Sequence, residues 1–351
     1  MNKKGRQFYD FASQIDPRLR PKMMTKRAPN IQFHMKTRYD QLKDPVKYNT
    51  HENTSGNGVN YQTYQTWRAQ KLANAPSDPL DVMVDIDNLA APSKIELEKI
   101  HINCAKTNFS FYRTPTNRQA NREHFMSFAA ALGLSNTEAH RSAGDDGIVA
   151  LELSSKKSQA GYIPYTNRRL SWHTDGYYNY HGPDHAIRAM ALHCVRPAQS
   201  GGENAILDPD IAYIRMRDEN PDFISAFMAE DAMTIPENRE NNGKIRPTNT
   251  GPVFFIDGTG ELNMRFTART RNIQWKDDAT TRQAVEFLGD VLTNDPLIIR
   301  NRLNAGEGII CNNVLHNRTG FDNSDPKISD RLLYRARYYQ RVADPNQESD
   351  K

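Results

Sequence analysis

Ser171-Trp172-His173-Thr174-Asp175-Gly176-Tyr177-Tyr178-Asn179 sets a histidine and an aspartate two residues apart, followed by a glycine and two tyrosines. On an extended segment, residues i and i+2 project from one face, so the His173 imidazole and the Asp175 carboxylate can converge on a single ion. A second, distant histidine would complete a set of two imidazoles and one carboxylate, which leaves positions open on an octahedral metal. His-x-Asp alone is a common tripeptide, equally at home as a polar strand end with a hydrogen-bonded histidine.

Downstream, Ala186–Val195 is a mostly apolar run and reads as a strand, as do Ile148–Leu153, Leu297–Leu303, Gly308–Val314 and Leu332–Tyr339. Pro252–Phe255 and Glu261–Phe266 flank Asp257-Gly258-Thr259-Gly260, a hairpin signal. Upstream, the spacing of Ile86, Leu89, Ile95, Leu97, Ile100, Ile102 and Cys104 predicts an amphipathic helix started near Pro92-Ser93, followed by a strand over Phe109–Arg113. Further helices are expected over Asn117–Leu134, Pro209–Met216, Asp222–Ala229 and Asp278–Thr293, with a mobile polar loop over Pro236–Thr250. Many short strands, with helices before and between them, predict a mainly β fold: a double-stranded β-helix, or jelly-roll, decorated by α-helices.

Residues 1–80 are polar and broken by six prolines, so they are expected to form a basic, irregular arm with short helices, one of them at Tyr61–Lys71. Residues 81–345 are expected to be one jelly-roll domain with helical insertions, and residues 346–351 a disordered tail. Ten Lys or Arg against three acids between Met1 and Asp40 put +7 there, and the net charge of +4 leaves the remainder at about −3. So small a net charge does not predict nucleic-acid binding, and the arm reads as a solvated extension or a docking element. Apolar runs fall short of the roughly 18 residues a membrane span requires. Cys104, Cys194 and Cys311 are scattered, without C-x-x-C spacing, which suits a reducing cytoplasm and small buried hydrophobes.

Two further places complete the chemistry. Gly306–Phe321 runs an apolar strand into a polar corner containing His316, a source for the third ligand. Arg331-Leu332-Leu333-Tyr334-Arg335-Ala336-Arg337 places residues 331, 333, 335 and 337 on one face if it is a strand. Guanidiniums facing the inside of a barrel are costly unless anions pair with them.

With these residues in place, the chain resembles the taurine dioxygenase (TauD/TfdA) superfamily of Fe(II)/2-oxoglutarate-dependent oxygenases over roughly Leu97 to Tyr339. The resemblance rests on Trp172-His173-Thr174-Asp175, Gly201-Gly202-Glu203-Asn204, Leu315-His316-Asn317-Arg318-Thr319 and Arg331-x-x-x-Arg335, in that order. It implies that His173, Asp175 and His316 ligate Fe(II), that Arg331 pairs with the distal carboxylate of the cosubstrate 2-oxoglutarate, and that O2 takes an open position. Asn204 stands where the family carries a hydroxyl residue, and its amide could donate the same bond. Asp322–Lys327 reads as a small inserted turn, so Arg335 and Arg337 remain alternatives to Arg331. By the same resemblance Arg335 would meet an anionic group of the substrate, and Tyr177, Tyr178 and Asn179 could wall its pocket.

The implied reaction couples decarboxylation of 2-oxoglutarate to succinate and CO2 with hydroxylation of a small, anionic metabolite, with no separate protein acid or base. Two other readings stay open. One is a non-catalytic jelly-roll that only binds metal or ligand, and the other an oxygenase that docks a macromolecule on the basic arm. Oligomeric state and substrate identity are not legible. His181, His185 and His193 are expected to be structural, and Arg265, Arg269 and Arg271 to line a solvated hairpin face.

Overall fold

A computed structural model describes residues 64–115, 121–138, 144, 146–153, 163–239, 245–269, 271, 273–322 and 330–342. Two sheets face each other. The larger has six strands in the order Met83–Asp85, Phe109–Arg113, Glu307–Cys311, Ala189–Arg196, Leu332–Tyr338 and Val149–Leu151, antiparallel except for the first pair. The smaller has four antiparallel strands, Ile299–Asn301, Asn204–Leu207, Leu315–Arg318 and Leu170–His173.

Alternation along each strand builds the layers. In Ala189–Arg196, Met190, Leu192 and Cys194 join Ile309, Cys311 and Leu333 and meet Ile206 and Ile299 of the other sheet in an inner core. Ala189 and Ala191 point the other way, where with Ile310, Ala336 and Tyr338 they pack against Ile100 and Cys104 of the Lys94–Thr107 helix and Phe125 and Phe128 of the Arg122–Ala131 helix. Outside the smaller sheet, Ala205, Leu207 and Leu315 pack on the helices Pro209–Glu219, Pro221–Phe227 and Ala279–Asn294. The jelly-roll expected from strand count is therefore the fold, with both outer faces covered by helices.

Local signals set the helix starts. Ser93 and Glu96 form a reciprocal capping box, and the Asp278 side chain accepts the Thr281 N–H. Several expectations need correction. Ile86 and Leu89 precede the helix rather than belonging to it, and Met83–Asp85 is an unexpected strand paired parallel to Phe109–Arg113. The Pro236–Thr250 loop contains short ladders at Asn238–Arg239, Ile245–Arg246 and Asn249–Gly251. The helix Tyr64–Asn74 falls in the expected arm, yet Tyr64 joins the core and Lys71 is buried. The basic segment 1–40, the tail 346–351 and most of the inserted turn after Asp322 lie outside the described residues.

His193 lies on the outer face, stacked on the Tyr112 ring at 5.9 Å with the hydroxyl 3.1 Å from Nδ1. Burial pushes its pKa down to about 4. A folded-state value below the unfolded value of about 6.5 means that the unfolded chain binds the proton better. Stability is therefore lost as pH falls from about 6.5 toward 4, by up to roughly 3 kcal/mol. Urea unfolding at pH 7 and pH 5 is expected to show a smaller acid loss in His193→Phe than in the wild-type chain.

Candidate active site

His173 closes the Leu170–His173 strand and lies directly opposite His316 of Leu315–Arg318, with ring centroids 4.2 Å apart. Asp175 lies beyond the strand, in a turn, so its convergence with His173 comes from that turn and not from strand alternation. Gly176 makes the turn feasible. Its φ is +73°, and a Cβ there would come within 2.6 Å of Ile187. Thr174 anchors the other side: its N–H donates to the Phe266 carbonyl and its hydroxyl accepts the Phe266 N–H, both at 3.0 Å. Asn313, in a left-handed conformation, accepts the Asp175 N–H at 2.8 Å and donates to the carbonyls of Asp175 and Ile187. A short side chain with an amide is what such a backbone clamp requires.

One donor atom from each of His173, Asp175 and His316 lies within 4.8 Å of the others. Each imidazole places Nδ1 2.9 Å from a carbonyl two residues back, that of Ser171 for His173 and that of Val314 for His316. A carbonyl only accepts, so Nδ1 carries the proton and Nε2 keeps its lone pair for an ion. Burial, then the neighbouring His316, pushes His173 down to about 3, and burial lowers His316. Burial works against charge on Asp175, but Arg335 and then Arg337 hold its carboxyl well below the usual range. Two neutral imidazoles and a carboxylate are the protonation states a dication requires. Asp175 Oδ2 is buried without a hydrogen-bond partner among the described residues, an orphan that a cation would satisfy.

The Leu332–Tyr338 strand supplies the cations. Arg335 Nη1 lies 3.3 Å and Arg337 Nη1 3.6 Å from Asp175 Oδ1. Arg337 also pairs with Glu138 and donates to the Tyr178 hydroxyl at 3.2 Å, whereas Arg335 Nε is buried without a hydrogen-bond partner among the described residues. Glu138 is buried and pushed up, chiefly by burial, against the pull of Arg337. Arg331 immediately precedes the strand, beside the point where the ladder slips between Leu332 and Leu333 and leaves Val195 as an extra residue on the neighbouring strand. It is 5% exposed, stands 5.0 Å over the Phe321 ring, and lies where a Gly202 Cβ would be 3.9 Å from its Nε. Burial lowers it to about 10, and no ion pair reaches it among the described residues.

Asn204 starts the strand beside Leu315–Arg318, directly opposite Arg318. Tyr177 packs edge-on to the His173 ring at 6.2 Å, and Tyr178 edge-on to Tyr177 at 5.2 Å. Asn179 is half-buried, its amide oxygen 2.9 Å from the exposed His181. His185 is exposed. Arg265, expected on a solvated face, is instead buried and donates to the carbonyls of Tyr177, Met233, Gly251 and Asn249. It thereby pins the turn after Asp175 to the three-stranded sheet around Met233–Ile235. Arg269 stands 5.7 Å over the Tyr177 ring.

Comparison with known proteins adds a family. A model described as "Taurine catabolism dioxygenase TauD, TfdA family" matches residues 109–337. A uridine-5'-phosphate dioxygenase of Amycolatopsis sp is 29% identical over 174 residues, 48% of this chain and 60% of that protein. The chain thus matches about three fifths of that relative's length. A putative alpha-ketoglutarate-dependent taurine dioxygenase from Burkholderia xenovorans has a TM-score of 0.50 at 16% identity, covering 73% of this chain and 86% of that one. A crystal structure of asparagine oxygenase gives 0.50 at 14% identity, covering 78% and 90%. Likeness at these identities speaks to the fold. Among the described residues no helix is long and apolar enough to cross a membrane.

Proposed function

Since the chain belongs to the taurine catabolism dioxygenase TauD, TfdA family, we propose that it is an Fe(II)- and 2-oxoglutarate-dependent dioxygenase that hydroxylates a small anionic metabolite. The observation that carries this is the cluster of His173, Asp175 and His316, with Nε2 lone pairs free for an ion and a buried carboxylate oxygen that has no hydrogen-bond partner among the described residues. The donor set fits ferrous iron, and three protein ligands leave room for a chelating keto acid and O2. When bound, the iron supplies the oxidative chemistry that converts 2-oxoglutarate and O2 to succinate and CO2 while one oxygen atom enters a substrate C–H bond.

The residues of the chain then bind and orient. His173 and His316 are held in one tautomer by backbone carbonyls, so neither is proposed as an acid or base. Arg331, buried without an ion pair among the described residues, is suited to the distal carboxylate of 2-oxoglutarate. Arg335, whose Nη1 faces Asp175 and whose Nε has no hydrogen-bond partner among the described residues, is suited to the substrate's anion, with Tyr177 and Tyr178 as the adjoining wall. A guanidinium recognises phosphate, sulfonate and carboxylate alike, and the Amycolatopsis relative is named for a phosphate ester.

Adding Fe(II) and 2-oxoglutarate without oxygen is expected to give a visible charge-transfer band, and a folded chain without that band would rule the reading out. Succinate release should then be screened over nucleoside monophosphates, phosphonates, sulfonates and amino acids. Arg331→Met is expected to weaken 2-oxoglutarate binding about 10- to 100-fold, since a charge-assisted hydrogen bond contributes roughly 1.5–3 kcal/mol. Titration of the band measures it.

A further inference from the structure

Arg318 is a second buried guanidinium for which the family resemblance assigns no role. It is two residues beyond His316 on the same strand, so both side chains leave one face. That face is the inner one, because His316 pairs opposite Ile206, a member of the core between the sheets. Arg318 pairs opposite Asn204. It is 4% exposed, and its Nη2 donates to the carbonyls of Thr166 and Arg168. Its Nε is buried with no hydrogen-bond partner among the described residues.

Its neighbour is Arg331. The Arg318 guanidinium stands 4.7 Å and the Arg331 guanidinium 5.0 Å from the centre of the same Phe321 ring. Two like charges around one phenyl ring, neither ion-paired among the described residues, make a local excess of positive charge that burial renders costly. A carboxylate has about four acceptor sites and can serve two guanidiniums. Neighbouring inward positions on a strand are about 7 Å apart. A keto diacid held at the triad by its keto-acid end would therefore extend its other carboxylate toward the next inward position.

We propose that Arg318 is a second binding residue for the distal carboxylate of 2-oxoglutarate, acting with Arg331. This rests on the dioxygenase reading above. The test compares wild type, Arg318→Gln and Arg318→Lys, each loaded anaerobically with Fe(II). Each is titrated with 2-oxoglutarate and with 2-oxobutyrate, which has no distal carboxylate, and the charge-transfer band gives Kd. Glutamine keeps an amide donor for the Thr166 and Arg168 carbonyls while removing the charge.

Arg318→Gln is expected to raise Kd for 2-oxoglutarate at least tenfold and leave Kd for 2-oxobutyrate within twofold. Equal losses for both acids would mean that Arg318 only props the backbone, and no loss for 2-oxoglutarate would mean that it does not reach the carboxylate. Either result overturns the proposal. Should Arg318→Gln fail to fold, Arg318→Lys decides: it keeps the charge but not the fork, so a selective loss of at least threefold for 2-oxoglutarate is expected, and an unchanged ratio of the two Kd values overturns the proposal. A wild-type chain without any band overturns the dioxygenase reading and this inference together, whereas a wild-type band with an unaltered variant removes the inference alone.

Discussion

Asp175→Asn is expected to cost more than a hundredfold in succinate formation and to lower the stability of the metal-free chain by about 3 kcal/mol. Partners that merely orient metal ligands contribute about 10- to 100-fold. Asp175 would be a ligand itself and the only carboxylate in the set, so its loss should exceed that range. The stability effect has a separate cause. Arg335 and Arg337 both direct a guanidinium nitrogen at Asp175 Oδ1, and Arg335 has no other acid within ion-pair distance among the described residues. Removing the carboxylate leaves Arg335 buried without a counter-charge, whereas Arg337 keeps Glu138. Metal titration and urea unfolding separate the two effects. A variant that loses stability but keeps its metal affinity and its charge-transfer band would show that Asp175 serves the arginines alone.

The convergence of His173, Asp175 and His316 is legible only in part from the residues themselves, and the rest of that expectation comes from the ordered motifs that resemble the TauD/TfdA enzymes. His-x-Asp and the Leu315-His316 corner carry the first part locally. What brings them together is not local. The turn that swings Asp175 inward depends on Gly176 fitting against Ile187 and on Asn313, more than a hundred residues downstream. Glu138 lies after a helix, outside any strand pattern, and nothing near it announces that Arg337 will pair with it. Arg265 shows the converse: a run of arginines in a hairpin suggests a wet face, yet one of them is enclosed by carbonyls contributed from four separate positions. Alternation gives the face of an apolar side chain reliably, because burial alone rewards it. For a charged side chain the outcome depends on a tertiary partner, which pattern does not contain.

The same dependence governs the helix Tyr64–Asn74. Lys71 is buried, with Nζ 2.9 Å from Asp208 Oδ2 and 2.6 Å from Asp210 Oδ2, and it also donates to the Lys106 carbonyl. Burial works against its charge, but Asp208 and Asp210 more than offset that and raise its pKa. Asp208 is pushed up to about 6 by burial, a shift that Lys71 restrains. Lys71→Met would leave two enclosed carboxylates facing each other, at an expected cost of about 3–5 kcal/mol at pH 7.

The pH dependence gives the sign. A carboxyl whose folded pKa lies above its unfolded value of about 3.9 binds the proton better in the folded chain, so its contribution falls as pH rises from about 4 through 6. With Lys71 gone this fall should steepen. The deficit of Lys71→Met should be smaller at pH 5 than at pH 7, and Lys71→Met with Asp208→Asn should recover part of it. Urea unfolding at both pH values measures this. An equal deficit at pH 5 and pH 7 would mean that the loss comes from packing of the lysine stem rather than from exposed repulsion between Asp208 and Asp210.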